Sequence, residues 1–250
     1  MKLCPGSRGR PVRPPWAREA PDRNRAMKIL IINPNSDTEM TAAIHESAEA
    51  YAGNAFQVWT VPTTGAPAFI ESHASEIQCG PGMLQIMEEN ERYHDAFVIA
   101  CHSDVNVEAI REATRKPVVG IGEASMKLAS FLGRTFSVVT THEHSVPGKL
   151  EQIRKLHLEG LAASVRAPEP RDEGLGGVDL FMELARRARD EDGAEVIVLG
   201  CAGLAGMDRT LREALDMPVL DGVVCALILA TGFVRSGVGT SKVLYYDPEF

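Results

Sequence analysis

The sequence predicts an α/β protein made of two similar lobes, each a four-stranded and mainly parallel sheet flanked by helices, with the active site in the cleft between them. Three observations predict it. Short apolar, largely β-branched runs alternate with helical stretches of ten or more residues, which is the pattern of parallel strands covered on both faces. Residues 96–104, AFVIACHSD, are echoed by residues 195–203, EVIVLGCAG, and residues 110–118, IREATRKPV, by residues 211–219, LREALDMPV. A cysteine stands where the strand of each copy should end, Cys101 lying 16 residues before Pro117 and Cys201 17 before Pro218.

Composition bounds the answer. The chain of 250 residues is long enough for one large domain or two small ones with proper cores. With 44% hydrophobic and 24% charged residues it is ordinary for a globular protein. No run approaches the roughly 18 apolar residues of a membrane span, so no membrane partner is expected. The net charge is −8 and the basic residues of the body are dispersed, so nucleic acid is not an expected partner either, because phosphate contacts need a clustered basic footprint. Five cysteines form no C-x-x-C pair and no even set in a small frame, which argues against structural zinc and a disulfide scaffold and for a reducing, cytoplasmic setting.

Taken in order, residues 1–26 hold seven Lys or Arg, several prolines and almost no aliphatic side chains, and read as a disordered basic extension without the apolar core of a secretory signal. The first lobe is expected over residues 27–132, the second over 133–220, and residues 221–250 as a C-terminal helix and tail packing back near the lobe interface. KILIIN (28–33) is a strand broken by Pro34, and Ser36 with Glu39 forms an S-x-x-E capping box that opens a helix to about residue 50. A strand at 56–61 leads into a long loop, 62–80, before a helix near 83–92. Strand 96–100, helix 106–114, strand 118–121 and helix 123–132 complete the first copy. The second begins with a strand at 136–141, which matches the opening strand in position. A helix at 147–158, a weak strand around Val165, a helix at 178–190 and a strand at 195–199 follow. Helix 207–215, strand 218–220 and helix 221–235 close it.

In open α/β sheets a ligand sits outside the carboxyl ends of the strands. Four such ends converge here: Asn33-Pro34-Asn35, Cys101-His102-Ser103, Thr140-Thr141-His142 and Cys201-Ala202-Gly203. The cysteines then stand on opposite walls of one pocket. Inverting a carbon that carries an acidic hydrogen needs a base on one face and an acid on the other. A thiol serves as either, since its unperturbed pKa of about 8.5 lies near neutrality and falls beside helix N-termini. The helices that follow each cysteine offer amides for the carbanion's negative charge. No metal and no cofactor is required.

Other features read as structural. Cys225 lies in a wholly apolar helix and is a core residue, whereas Cys79 falls in the long loop and is expected to be exposed. His142 and His144 lack a further ligand set for a metal. His102 either tunes Cys101 or fills space, and Glu71 and His73 lie in a loop suited to covering a substrate. Gly120-Ile-Gly122 opens a helix after a strand, but without a third glycine it is explained by tight packing rather than by a dinucleotide.

These motifs resemble the aspartate/glutamate racemase superfamily and, within it, the hydantoin and allantoin racemase branch. The resemblance covers residues 27–243 and rests on KILIINPNSDTEMT, IESH at 70–73, ACHSD, GIGEASMKLASFLGRTFSVVTT at 120–141 and VLGCAG at 198–203. It implies a pseudo-twofold, cofactor-independent racemase whose catalytic cysteines match Cys101 and Cys201. It also implies that Asn35, Ser103 and Thr141 contact the substrate, assisted by main-chain amides near both cysteines. Asn33, His102, Thr140, Ala202 and Gly203, at the same strand ends, complete the expected substrate-binding set. The implied substrate is a small cyclic ureide, a 5-substituted hydantoin or allantoin inverted at C5, and the implied assembly is a homo-oligomer. The chain departs from the family at the first cysteine, where an aromatic residue and often Asp-Pro-Gly are replaced by His102-Ser103-Asp104-Val105-Asn106. Readings that keep the fold and change the chemistry are an amino-acid racemase, an arylmalonate-type decarboxylase and a maleate-type cis-trans isomerase. A non-catalytic small-molecule binding protein is the reading from another class.

Overall fold

The computed structural model describes residues 26–247, and within them two sheets of the same strand order. In the first, β1 (Lys28–Asn33), β2 (Gln57–Pro62), β3 (Ala96–Ile99) and β4 (Val118–Gly120) lie in the order β2-β1-β3-β4. In the second, β5 (Phe136–Val139), β6 (Ala162–Arg166), β7 (Val196–Leu199) and β8 (Val219–Leu220) lie in the order β6-β5-β7-β8. All pairings are parallel. The helices are α1 (Thr38–Ala52), α2 (His73–Asn90), α3 (Val107–Ala113), α4 (Ile121–Leu132), α5 (Val146–Lys155), α6 (Gly177–Asp190), α7 (Asp208–Leu215) and α8 (Gly222–Ser236). The two-lobed α/β architecture expected from the repeat is therefore the one present. The expected basic extension lies, Ala26 apart, outside the described residues, as does Cys4. Among the described residues no helix is long and apolar enough to cross a membrane.

Strand alternation sends Ile29, Ile31 and Val98 to one face of the first sheet and Leu30, Ile32, Phe97 and Ile99 to the other, all buried. The second face is covered by α2 and α3 through Met83, Met87 and Ile110. The first is covered by α1 through Ile44 and Ala48, and by α8 through Val223, Ala226, Leu227 and Ala230. In the second lobe α6 and α7 cover Ile197 and Leu199, while Phe136, Val138, Val196 and Val198 meet α5 and α4 through Ile153, Met126 and Ala129. Each of these large apolar side chains contributes about 1.5–3 kcal/mol by leaving water. The last helix of each copy thus reaches the other lobe, and α4 and α8 touch where a Cβ on Gly222 would lie 3.0 Å from the Ile121 carbonyl oxygen. This exchange sets the two strand-end surfaces against each other.

Three local expectations are corrected. The cap of α1 is Asp37, which accepts from the Met40 amide at 2.9 Å, and not Ser36, whose own amide donates to the Pro67 carbonyl at 3.2 Å. The stretch 73–80, expected in a loop, is helical: Ser72 and Ser75 cap α2 reciprocally, and the helix runs through Gly80-Pro81-Gly82. The glycines there serve close approach, since a Cβ on Gly82 would meet Thr63 Cγ2 at 2.6 Å. Cys79, expected to be exposed, is consequently fully buried on the inner face of α2.

Candidate active site

β1 and β3 end side by side, with the Ala100 amide donating to the Ile32 carbonyl at 2.9 Å, and β5 and β7 do the same, with the Gly200 amide donating to Val139 at 2.7 Å. Cys101 and Cys201 follow one residue later at matched positions. Of the four described cysteines these two are partly exposed, while Cys79 and Cys225 are buried. The Cys101 thiol lies 3.1 Å from the Ser103 hydroxyl. Cys201 caps the short turn of residues 202–204, and its sulfur accepts from the Gly203 amide at 3.4 Å. Burial pushes the Cys101 thiol above its usual value. The Ser103 hydrogen bond and the charge of Lys149 oppose that rise, and a charge on Cys201 adds to it.

Ser103 and Gly203 are exposed beside the two sulfurs, and Thr141 is half-buried, with its hydroxyl 2.9 Å from His142 Nδ1. Asn35 is almost buried. Its Nδ2 contacts the Met40 sulfur at 3.2 Å, and its Oδ1 accepts from Asn33 at 2.7 Å and from the Asp37 amide at 3.0 Å. Three of the expected substrate contacts are occupied otherwise. Asn33 is fully buried and spends its amide on Asn35 and Thr41. Thr140 is 1% exposed and bonds Ser145 at 2.9 Å. His102 is 2% exposed and lies 3.2 Å from Ser125 Oγ and 2.9 Å from Lys149 Nζ. Packing turns these three into supports for Asn35, for the 140–145 turn and for the Cys101 loop. Ala202 is buried against Met40.

Sequence reasoning missed the residues that hold the Cys101 loop from the second lobe. From α5, Lys149 reaches His102, Gln152 Nε2 donates to Asp104 at 2.7 Å, and Lys155 pairs with Glu108 at 2.9 Å. Asp104 also accepts from the Gly122 and Glu123 amides at 2.8 and 2.6 Å, closing the loop onto the first turn of α4. Burial, with the Glu123 charge second, raises the Asp104 carboxyl to about 7. Among the described residues, Gln152 Oε1 is the buried side-chain atom left without a hydrogen-bond partner. The three-residue spacing of 149, 152 and 155 was the available signal, but charged residues at helical spacing ordinarily mark a solvated face.

In the same loop Asn106 adopts φ +56 and donates to the Glu76 carbonyl at 2.8 Å. Asn tolerates this left-handed conformation where most residues do not. Asn106→Ala is expected to cost about 2–3 kcal/mol, from the left-handed penalty plus the lost bond to a shielded carbonyl, read as a lower urea midpoint. An unchanged midpoint would contradict this account of the loop.

Two surface hollows, of about 680 Å³ beside Arg166 at the β6 edge and about 600 Å³ between α1 and β2, contain neither cysteine. The paired thiols, rather than cavity size, mark the reactive region. His142 and His144 stack at 5.3 Å on the surface, and among the described residues no three His, Cys, Asp or Glu side chains gather to hold a metal.

Comparison with known proteins identifies the family. A family model described as Asp/Glu/Hydantoin racemase matches residues 29–230. A hydantoin racemase of Pseudomonas sp. (strain NS671) is 39% identical over 236 residues, covering 89% of this chain and 92% of the relative. One of Rhizobium meliloti is 37% identical over 226 residues, covering 88% and 94%. The structure of an allantoin racemase from Klebsiella pneumoniae superposes with a TM-score of 0.82 at 31% identity, covering 88% of this chain and 93% of that one. With a family model spanning most of its length and relatives above 30% identity, the chain belongs to the Asp/Glu/Hydantoin racemase family and is an isomerase of the racemase type.

Proposed function

We propose that this protein racemises a small cyclic ureide, a 5-substituted hydantoin or allantoin, at its C5 carbon, using Cys101 and Cys201 as the acid–base pair. The observation that carries the reading is the pair itself: two partly exposed thiols at equivalent strand ends of two like sheets. The names of the relatives, hydantoin racemase and allantoin racemase, supply the substrate class.

In the forward direction the thiolate on one wall removes the C5 hydrogen as a proton, and the electron pair left behind delocalises into the adjacent carbonyl. The thiol on the other wall then delivers its own proton to the opposite face of C5. Each turnover therefore leaves the thiol and thiolate exchanged, and the reverse reaction begins from that state. The Ser103 hydroxyl and the Gly203 amide, each at one sulfur, stabilise the respective thiolate. Thr141 and Asn35 lie at strand ends where they orient the ring. The residues require no redox step and no electron acceptor for this chemistry.

The test is proton NMR of L-5-benzylhydantoin and of (S)-allantoin in D2O with the purified protein, against a protein-free control because such compounds exchange slowly alone. Loss of the C5 signal together with loss of optical rotation, faster than control, is the expected result. The faster compound identifies the substrate. If neither compound exchanges above control, the ureide assignment is wrong.

A further inference from the structure

The internal repeat makes Cys101 and Cys201 formally equivalent, but the helix that faces each loop from the opposite lobe is not the same. α1 of the first lobe reaches the Cys201 loop with Met40: a Cβ built on Gly203 would lie 3.5 Å from Met40 Cε and 3.6 Å from Cys201 Sγ. α5 of the second lobe reaches the Cys101 loop with Lys149, whose residue is 6% exposed. One thiol loop therefore meets a thioether and the other a buried amine.

The hydrogen bonds fix the tautomer of the histidine that holds this amine. Ser125 Oγ donates to the Ile121 carbonyl at 2.8 Å, with the Gly122 carbonyl at 3.1 Å, so its single proton is spent on the backbone. It must then accept at 3.2 Å from His102 Nε2, which carries the ring proton. His102 Nδ1 is left as an acceptor and takes a proton bond from Lys149 Nζ at 2.9 Å. Burial holds His102 neutral, with the lysine charge acting in the same direction. The amine is thus anchored by a neutral group, and among the described residues His102 is its one side-chain hydrogen-bond partner. No carboxylate bonds to it directly.

We propose that Lys149 is a positioning residue that, held by His102 from the opposite lobe, favours the thiolate form of Cys101 and so makes the two catalytic thiols unequal. Burial lowers the pKa of the Lys149 amine, and the negative charges of Cys101 and Asp104 on the loop it reaches, of Cys201 across the cleft and of Glu76 from α2 work against that and favour its charged form. Cys101 in turn is faced by Lys149, Cys201 and, from α2, Cys79. Burial drives the Cys101 thiol upward, and Lys149 is the cation that works against this. This inference deepens the two-thiol reading above and rests on it for its meaning in turnover.

The test does not require turnover. Alkylation by iodoacetamide is followed from pH 6 to 10 by peptide mass spectrometry, which resolves the Cys101 and Cys201 peptides, in the full chain and in Lys149→Met, Lys149→Arg and His102→Phe. In Lys149→Met the Cys101 profile is expected to move to higher pH, with alkylation at pH 7.5 about tenfold slower, the change that corresponds to about one pKa unit. Lys149→Arg should keep the profile near that of the parent, and Cys201, on which the Lys149 charge acts more weakly, should shift less than Cys101. His102→Phe, which removes the anchor and leaves the charge, should give a smaller shift. An unchanged Cys101 profile in a folded Lys149→Met protein overturns the proposal, and so does equal loss in Lys149→Arg.

A second measurement stands if Lys149→Met does not fold. In the parent protein, Cys101 should prefer anionic iodoacetate over neutral iodoacetamide several-fold more than it does in urea, as expected beside a cation. No such preference likewise overturns the proposal. A normal alkylation result with no C5 exchange would sink the ureide reading while leaving this one intact.

Discussion

Replacing either Cys101 or Cys201 with serine is expected to lower racemisation by about 10³-fold or more, because a positioned acid or base contributes about 10²–10⁴-fold and serine is far too weak an acid to replace the thiol. Both sites are partly exposed and Ser differs from Cys by one atom, so the thermal midpoint should move little. The two variants should fail alike, since a mechanism with one proton acceptor and one donor per turnover loses either direction when one partner is lost. Polarimetry on both enantiomers, with the thermal midpoint of each variant beside it, is the measurement. A variant that retains a rate within about tenfold of the parent would mean that one thiol suffices and that the two-thiol mechanism is wrong.

Gly122→Ala should damage both the fold and the reaction. A Cβ at this position would lie 2.3 Å from the His102 carbonyl oxygen, 2.5 Å from Gln152 Nε2 and 2.9 Å from Asp104 Oδ2. Two of these are side chains of the inter-lobe seam and the third is the backbone of the Cys101 loop itself, so none can yield without moving the thiol or breaking a bond. The cost in stability is expected at about 2–3 kcal/mol. A displacement of the sulfur by a fraction of an ångström to an ångström is expected to cost a further ~10²-fold in turnover. Urea denaturation and kcat together test it. Gly148→Ala is the control: nothing lies within 4 Å of its Cβ, and there the substitution should be neutral or slightly stabilising, since alanine is the better helix former. If Gly122→Ala is equally harmless, the loop is not seated as the geometry indicates.

Much of this protein was legible one residue at a time. The period of the strands, the echo of 96–104 in 195–203 and the prolines at matched offsets depend on local propensity and on alternation, and both are written in adjacent residues. The two cysteines stood out because a duplicated unit repeats its own chemistry at its own strand end. Local chemistry misled where two solutions competed. Ser36 and Asp37 are both good caps, and the choice fell to Asp37 because the Ser36 amide is drawn to the Pro67 carbonyl. Gly80-Pro81-Gly82 reads as a helix breaker, yet α2 passes through it, because the strong cap at Ser72 starts the helix and the glycines let it approach Thr63.

What no local reading contained is the contact between lobes. Lys149 and His102 are 47 residues apart, and a lysine in the first turns of an amphipathic helix looks like any solvated charge until the second lobe is docked on the first. The same docking holds His102, while packing within each lobe buries Asn33 and Thr140 and leaves Ser103, Thr141 and Gly203 more exposed, a division among strand-end residues of one apparent kind. Sequence by itself determined the lobes, the strand ends and the pair of thiols, because those follow from periodicity and repetition. Only the tertiary structure decided which side chains face the cleft and which thiol has a cation at its back, because burial and charge at a site depend on residues brought there from elsewhere in the chain.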